Sequence, residues 1–108
     1  MFKKVTSAIK QIKIKKDLSK IYKSVDSKKF NEICNLYKDE SPYPGYSKYL
    51  DIKFWLNQCI WQAEMLSLVN SSSINILDIG TGTGYFPFVC NYYGHNSKAI
   101  DLDSINTV

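Results

Sequence analysis

The sequence predicts an α/β fold that begins a doubly wound parallel sheet, and three features predict it. The run "INILDI" (74–79) is short, rich in isoleucine and followed by glycine, which is typical of a buried strand. A helical stripe of apolar residues follows the glycines, and a second short run, "SKAIDLD" (97–103), ends in acids. The order helix, strand, glycine loop, helix, strand and acid is half of a doubly wound fold.

Residues 1–40 are predicted to form a basic helical N-terminal arm. Its apolar residues recur at helical spacing in two sets, Val5, Ile9 and Ile12, then Ile14, Leu18, Ile21 and Val25. The helical spacing changes phase between Ile12 and Ile14, and this phase slip predicts one or two amphipathic helices. A further short helical face is formed by Phe30, Ile33, Cys34 and Tyr37.

The positive charge of the chain belongs to this arm. Residues 1–29 hold ten lysines and two aspartates, whereas residues 30–108 hold four lysines and eight acids. A solvated helix face explains such lysines, and an anionic surface, lipid or nucleic acid, is the alternative partner. No aromatic residue stands between these lysines before Tyr22, which disfavours nucleic acid.

The stretch "DESPYPGYS" (39–47) breaks the helical pattern with two prolines and a glycine, and it predicts a loop. The boundary between the arm and the body, residues 41–108, is placed there. Three tyrosines of this region, Tyr43, Tyr46 and Tyr49, are expected to pack or to be exposed, with a lid over a ligand as the alternative.

The body begins with a helix predicted over residues 51–69, with Asp51 as its N-cap and "NSSS" as its end. One face of this helix carries Ile52, Trp55, Cys59, Ala63 and Leu66. Both tryptophans of the chain, Trp55 and Trp61, are expected to pack in the core rather than to form a cage around a cofactor.

A second body helix is predicted over residues 84–93. Its apolar stripe consists of Phe86, Val89, Cys90 and Tyr93. Pro87 is tolerated if it falls in the first turn, and Gly94 supplies the C-terminal stop. The only histidine, His95, follows this stop and is expected to be a loop residue.

The composition predicts one folded domain without a structural metal. The chain has 108 residues, of which 44% are hydrophobic. Cys34, Cys59 and Cys90 are widely spaced and unaccompanied by a second histidine, so no zinc pattern is formed. An odd number of cysteines without a secretory signal predicts reduced thiols and a cytoplasmic location. No stretch of the sequence is apolar enough for a membrane span.

The loop "DIGTGTG" (78–84) is the best candidate for a ligand site. Glycines allow positive φ and remove Cβ atoms that would hold a ligand away. The N-terminus of the following helix has free N–H groups and a partial positive charge, which attract a carboxylate or a phosphate. Asp78 can take an ammonium group, and Asp101, at the tip of the next strand, can accept hydrogen bonds from both hydroxyls of a ribose.

The glycine spacing distinguishes between nucleotide-binding patterns. Gly80 and Gly82 begin the dinucleotide fingerprint G-x-G-x-x-G, but Tyr85 stands where the third glycine is needed. A Walker loop needs Gly-Lys-Ser/Thr, and no lysine follows here. The remaining pattern is Asp-x-Gly-x-Gly-x-Gly followed by an acid at the end of the next strand.

This pattern resembles the class I S-adenosylmethionine-dependent methyltransferases. "ILDIGTGTGYF" (76–86) looks like the first motif of that family, and "AIDLD" (99–103) looks like the acidic end of its second strand. The resemblance covers residues 74–103, and it implies that S-adenosylmethionine is the cofactor. The residues it implies for cofactor binding are Asp78, Gly80, Thr81, Gly82, Gly84, Asp101 and Asp103.

The resemblance also implies what each residue does. The glycines would line the methionine part of the cofactor, Asp78 would hold its amino group, and Asp101 would bind the ribose. Asp103 would touch the ribose edge or cap the next helix at Ser104. No residue of this sequence is assigned as catalytic base, and the methyl acceptor is unknown, because later loops supply both in this family.

The family fold has further strands, and the resemblance here ends after the second. A partial doubly wound, Rossmann-like methyltransferase fold is therefore expected, with its first two strands preceded by N-terminal helices. We expect the sequence to be a fragment, or the sheet to be completed by another chain, since two parallel strands leave open edges. Alone, the chain should bind cofactor weakly and turn over nothing. The alternatives are an NAD(P)-binding oxidoreductase fragment and a non-catalytic interaction module with a basic arm.

Overall fold

The fold combines four helices and two strands in the part of the chain that the computed structural model describes, residues 2–40, 51–81 and 84–100. In chain order the elements are α1 (Phe2–Ser24), α2 (Ser27–Glu40), α3 (Ile52–Met65), β1 (Asn75–Ile79), α4 (Tyr85–Tyr92) and β2 (Asn96–Ile100). The strands pair in parallel, with Asp78 opposite Ala99 and Ile79 opposite Ile100. The protein is therefore a mixed α/β fold, as predicted. Tyr43, Tyr46 and Tyr49 lie outside the described residues.

Helix α1 is continuous through the predicted slip. Ile14 and Ile21 are only 5% and 0% exposed and belong to the core, whereas Ile9 and Ile12 are 61% and 57% exposed. The slip therefore does not break the helix. It places two apolar stripes on different faces, because each residue turns the helix by about 100°. The second stripe packs against α3 and the rest of the core, whereas the described side chains of the first stripe, Ile9 and Ile12, stay exposed.

Helix α2 brings an aromatic side chain into the same core. Asp26 precedes the helix, and its Oδ1 accepts a hydrogen bond of 3.1 Å from Lys29 N–H, which is an N-cap interaction. Phe30 is buried, with its ring stacked on Tyr85 at 5.2 Å and edge-on to Phe88 at 5.6 Å. The arm and the body thus share one core, and the boundary between residues 40 and 41 stays a prediction. The side chains of Ile33, Cys34 and Tyr37 lie outside the described residues.

Helix α3 starts as predicted and ends earlier than predicted. Asp51 is its N-cap, and Oδ1 of Asp51 accepts a hydrogen bond of 3.1 Å from Phe54 N–H. The helix stops at Met65 because Ser67 adopts φ 60° and Leu68 N–H donates to Ala63 O at 2.8 Å. This closure resembles a Schellman motif. Leu66, predicted on the apolar face, follows the helix and is 62% exposed, so that assignment was wrong.

Helix α4 has the predicted beginning and end. Gly84 is its N-cap, with φ 86°, and Pro87 falls in its first turn, where the missing N–H costs nothing. Gly94 has φ 89° and follows the C-cap. Gly94 N–H donates to Asn91 O at 3.0 Å and His95 N–H donates to Cys90 O at 3.1 Å, a Schellman closure.

The sheet has one covered face and one open face. Side chains alternate between half-buried and exposed along both strands, and α4 packs on the sheet from the half-buried side. The open face carries Leu77, Ile79 and Ile100, which are all exposed. In the described residues both strands have only each other as neighbours.

The amino end of the sheet is closed by His95, which lies in the loop between α4 and β2 as predicted but is only 5% exposed. Its Nδ1 accepts a hydrogen bond of 3.2 Å from Ile74 N–H, so Nε2 carries the proton and donates to Leu68 O at 2.6 Å. The imidazole therefore fixes the segment that connects α3 to β1. Nearby, the hydroxyl of Tyr93 donates to Asp17 Oδ2 of α1 at 2.7 Å.

Cys59 and Cys90 are free and buried, and the reduced state of the thiols stays a prediction. The side chain of Cys34 lies outside the described residues. None of the helices, as far as the structure describes them, has the length and apolar character needed to cross a bilayer. The described residues also contain no group of three or more His, Cys, Asp or Glu side chains placed to hold a metal ion.

Candidate ligand site at the carboxyl end of the sheet

The glycine loop begins where β1 and β2 end together. Gly80 N–H donates to Ile100 O at 2.7 Å, and Thr81 N–H donates to the same carbonyl at 3.3 Å. These two bonds extend the parallel ladder by one step beyond the strands. They also occupy two of the loop's N–H groups, so a ligand at this edge has to use other donors.

Gly80 is required by its backbone conformation. Its φ is 74°, a backbone angle that residues with a Cβ atom rarely adopt. A Cβ placed on Gly80 would meet no described atom within 4 Å, so the space beside the loop is open. Gly84 has φ 86° and is buried, and its N–H donates to Thr81 O at 3.3 Å. These two positive φ values turn the chain from β1 into α4.

A cavity of about 500 Å³ lies beside this loop. Its wall is formed by one side of α3, the end of β1 and the start of α4, through Trp55, Cys59, Gln62, Met65, Leu66, Asp78, Gly80, Thr81, Tyr85 and Phe86. The volume falls in the range of small-molecule sites, which are mostly apolar with a few polar groups. Most of this wall is apolar or aromatic, and its polar side chains come from Gln62, Asp78, Thr81 and the tyrosine.

Asp78 is the only charged residue among the described residues of the cavity wall. It is half-buried on the covered face of β1. Thr81 adds a second polar group, since its Oγ1 is buried and has no hydrogen-bond partner in the described part of the chain. Buried polar atoms are nearly always satisfied, so an unpaired one beside a cavity is expected to find its partner in a ligand or in water.

Cys59 lies in the same wall but offers no nucleophile. Burial, followed by the influence of Cys90 and then of Asp78, raises the pKa of the Cys59 thiol to about 12. Burial likewise raises the pKa of Cys90. The thiolate is the reactive form, so both thiols are inert near neutral pH.

The structure brings three of the predicted site residues, Asp78, Gly80 and Thr81, together on one cavity wall. Gly84 lies at the start of α4, next to this wall. Gly82, Asp101 and Asp103 lie outside the described residues. Asp101 directly follows Ile100, whose carbonyl holds the beginning of the glycine loop.

Sequence reasoning did not find the wall that α3 contributes. Both tryptophans pack against the core as predicted, but Trp55 also lines the cavity. Gln62 and Met65 line it too, and neither belongs to the apolar stripe of α3. A signal was present in "EMLS" (64–67), where Met65 is a large apolar residue outside that stripe at the helix end.

Comparison of the chain with known protein families, with curated proteins and with solved structures gives no match.

Proposed function

We propose that this chain is the N-terminal, cofactor-binding portion of an S-adenosylmethionine-dependent methyltransferase with a partial doubly wound, Rossmann-like fold. The support is the β1–loop–α4–β2 unit, whose glycine loop opens on a cavity at the carboxyl end of the strands. In open α/β sheets, ligands bind at that end of the strands. The motif resemblance of residues 74–103 points to the same cofactor.

The charge of the cavity wall is the observation that carries the proposal. Its described residues include one carboxylate, Asp78, and no lysine. Such a wall favours a ligand that presents a cation. S-adenosylmethionine presents two, an ammonium group and a sulfonium, and aromatic rings such as those of Trp55 and Phe86 stabilise cations placed over their faces. Asp78 would hold the ammonium group.

The same wall disfavours the dinucleotide alternative. A pyrophosphate carries negative charge and is bound by N–H groups at the start of a helix. Here Asp78 would lie beside it, and the N–H groups of Gly80 and Thr81 are already bonded to Ile100 O. Tyr85 also replaces the third glycine of the dinucleotide pattern. An NAD(P)-binding oxidoreductase is therefore the weaker candidate.

The described residues of the cavity offer the proposed cofactor a polar group, open space and an aromatic wall. Thr81 Oγ1 supplies an unpaired polar group, and the glycine loop leaves open space beside it. The aromatic wall from α3 and α4 excludes water from one side. When bound, S-adenosylmethionine supplies an electrophilic methyl group, and the protein's task is to hold the cofactor in one orientation. By the resemblance, Gly82, Asp101 and Asp103 complete this set.

Equilibrium binding of S-adenosylmethionine tests the proposal, with Asp78→Asn as the variant. The change removes the charge at nearly constant shape, and losing a charged hydrogen bond costs about 1–3 kcal/mol, so affinity should fall about tenfold or more. Glu32→Gln is the matched control, because Glu32 is an exposed acid of α2 outside the cavity wall. Calorimetry at millimolar ligand accommodates the weak binding expected of this chain.

Two comparison ligands sharpen this experiment. S-adenosylhomocysteine keeps the ammonium group and lacks the sulfonium charge, so it should remain sensitive to Asp78→Asn. NADH should bind more weakly than S-adenosylmethionine and should not lose affinity in the variant. Binding of NADH without S-adenosylmethionine would favour the oxidoreductase, and binding of neither would favour the interaction module with a basic arm.

A further inference from the structure

The outward side of α1 combines exposed isoleucines with lysines. Ile9 and Ile12 are one helical turn apart and are both more than half exposed, while Ile14 and Ile21 of the other stripe are buried. In the helix register, Lys13 and Lys16 follow Ile9 and Ile12 by four residues, and Lys20 follows Lys16 by four. All three lysines are exposed. We call Ile9, Ile12, Lys13, Lys16 and Lys20 the outer ridge of α1.

The charge of α1 is almost entirely of one sign. The helix contains eight lysines and one acid, Asp17. That acid accepts a hydrogen bond from the Tyr93 hydroxyl of the body at 2.7 Å, so it lies on the packed side. Among the described side chains, Lys10 pairs with Glu64 of the body at 3.3 Å, and Lys13 donates to Asn70 at 2.9 Å. The rest of the ridge has no acid on its own helix to neutralise it.

We infer that the outer ridge of α1 docks on an anionic lipid surface, with α1 lying parallel to the bilayer. This is independent of the proposed function. Interfacial helices bind when apolar side chains enter the acyl boundary and lysines contact anionic headgroups. Ile9 and Ile12 supply the apolar contact, and Lys16 and Lys20 supply charge complementarity.

Lipid fits this ridge better than nucleic acid does. The chain contains no arginine, since all fourteen basic residues are lysines in the sequence, and Arg is the residue suited to base edges and stacking. The ridge has no aromatic ring on which bases could stack. Exposed isoleucines also have no counterpart in binding to phosphates, whereas they are the expected anchors in an acyl boundary.

Sedimentation of the full chain with vesicles tests the inference. Vesicles of phosphatidylcholine mixed with phosphatidylserine should retain the protein, and vesicles of phosphatidylcholine alone should retain it much less. The double variant Ile9→Gln/Ile12→Gln should lower the partition coefficient about tenfold, since glutamine keeps the helix and removes the apolar contact. Lys16→Gln and Lys20→Gln should each lower it about fivefold.

Matched controls lie on the open face of the sheet. Leu77→Gln removes an equally exposed apolar side chain, and Lys98→Gln removes an exposed lysine of β2. Neither change should alter retention, and circular dichroism should show all variants folded. Equal retention by both kinds of vesicle, or equal losses in the ridge and control variants, would overturn the inference. Binding of a uridine homopolymer that Lys16→Gln and Lys20→Gln weaken and Ile9→Gln/Ile12→Gln leaves unchanged, without vesicle retention, would assign the ridge to nucleic acid instead.

Discussion

At the amino end of the sheet His95 pairs with two backbone groups, whereas at the carboxyl end Thr81 Oγ1 is buried without a partner in the described residues. The amino end is tied further by Asn96 N–H, which donates to Ile74 O at 3.0 Å. The carboxyl end instead holds a half-buried carboxylate, Asp78, and two glycines with positive φ beside an open cavity. His95 thus satisfies two backbone groups at the amino end, although Ser97 Oγ, in the second residue of β2, is also buried without a partner among the described residues.

This difference indicates which end of the sheet contributes to the stability of the fold and which end is suited to binding a ligand. Buried polar groups that are hydrogen-bonded fix one arrangement of the backbone. If one partner is removed, the other stays buried without a hydrogen bond, and its desolvation lowers the stability of the fold. Unsatisfied groups and strained backbone persist where a ligand supplies the missing contacts. The amino end should therefore control the free energy of unfolding, and the carboxyl end should control affinity for the ligand.

The largest effect is expected from His95→Ala. The change leaves Ile74 N–H and Leu68 O without their partner and removes a buried ring, so the free energy of unfolding should fall by about 3 kcal/mol. Urea denaturation followed by the fluorescence of the two tryptophans measures it. Asp78→Asn, at the opposite end of the sheet, serves as the control and should not lower the free energy of unfolding. A loss below about 1 kcal/mol for His95→Ala would remove the distinction between the two ends.

The next effect is a pH dependence from Cys59 at the carboxyl end. Its pKa is raised from 9.0 to about 12, mainly by burial, so the folded chain keeps a proton that the unfolded chain releases above pH 9. The stabilising contribution is complete below pH 9 and is lost as the pH rises toward 12, with a slope of at most about 1.4 kcal/mol per pH unit. Urea denaturation at several alkaline pH values should show a flatter slope in Cys59→Ala. The same slope in both proteins would contradict the burial of the thiol.

A smaller loss is expected from Gly94→Ala beside the closed end. Gly94 has φ 89°, and a Cβ there would meet no described atom within 4 Å, so the cost is backbone strain and not a clash. The free energy of unfolding should fall by about 1 kcal/mol. Asn at this position should cost less, because asparagine tolerates a left-handed backbone. Thermal denaturation of both variants would show this ranking, and an unchanged midpoint for Ala would refute the strain.

The smallest effect has the opposite sign and comes from Ser67→Gly. Ser67 ends α3 at φ 60° with a closure like that of Gly94, so glycine should relieve strain of about 1 kcal/mol. Glycine also gains freedom in the unfolded chain, which offsets roughly half of this. A net stabilisation of about 0.5 kcal/mol should appear in urea denaturation. Ser67→Ala serves as the control and should stabilise nothing.

Much of the fold was predictable because its signals are local. Asp51 at the start of α3, Pro87 in the first turn of α4 and Gly94 after its end all lie where the sequence placed them. The two strands and their mixed α/β arrangement follow from the same kind of signal. Asp78, Gly80 and Thr81, predicted from the loop pattern and the family resemblance, line one cavity wall, and their role in ligand binding stays a prediction.

The remaining features depend on contacts between residues distant in sequence. The end of α3 at Met65 depends on a serine in a left-handed conformation, which serine rarely adopts, so the loop residues beyond it were assigned to the helix. The part of the cavity wall that comes from α3 follows from how this helix packs against α4. No local pattern reports that packing.

The sequence by itself determined the order of helices and strands, the glycine loop and the acid before it, because caps, turns and periodicity act over a few residues. The tertiary structure alone decided that His95 is buried between Leu68 O and Ile74 N–H. It also decided that Ile14 is buried while Ile12 stays exposed, and that Asp78 faces an aromatic wall. The physical reason is that burial depends on which elements pack together, and packing sums contacts across the whole chain.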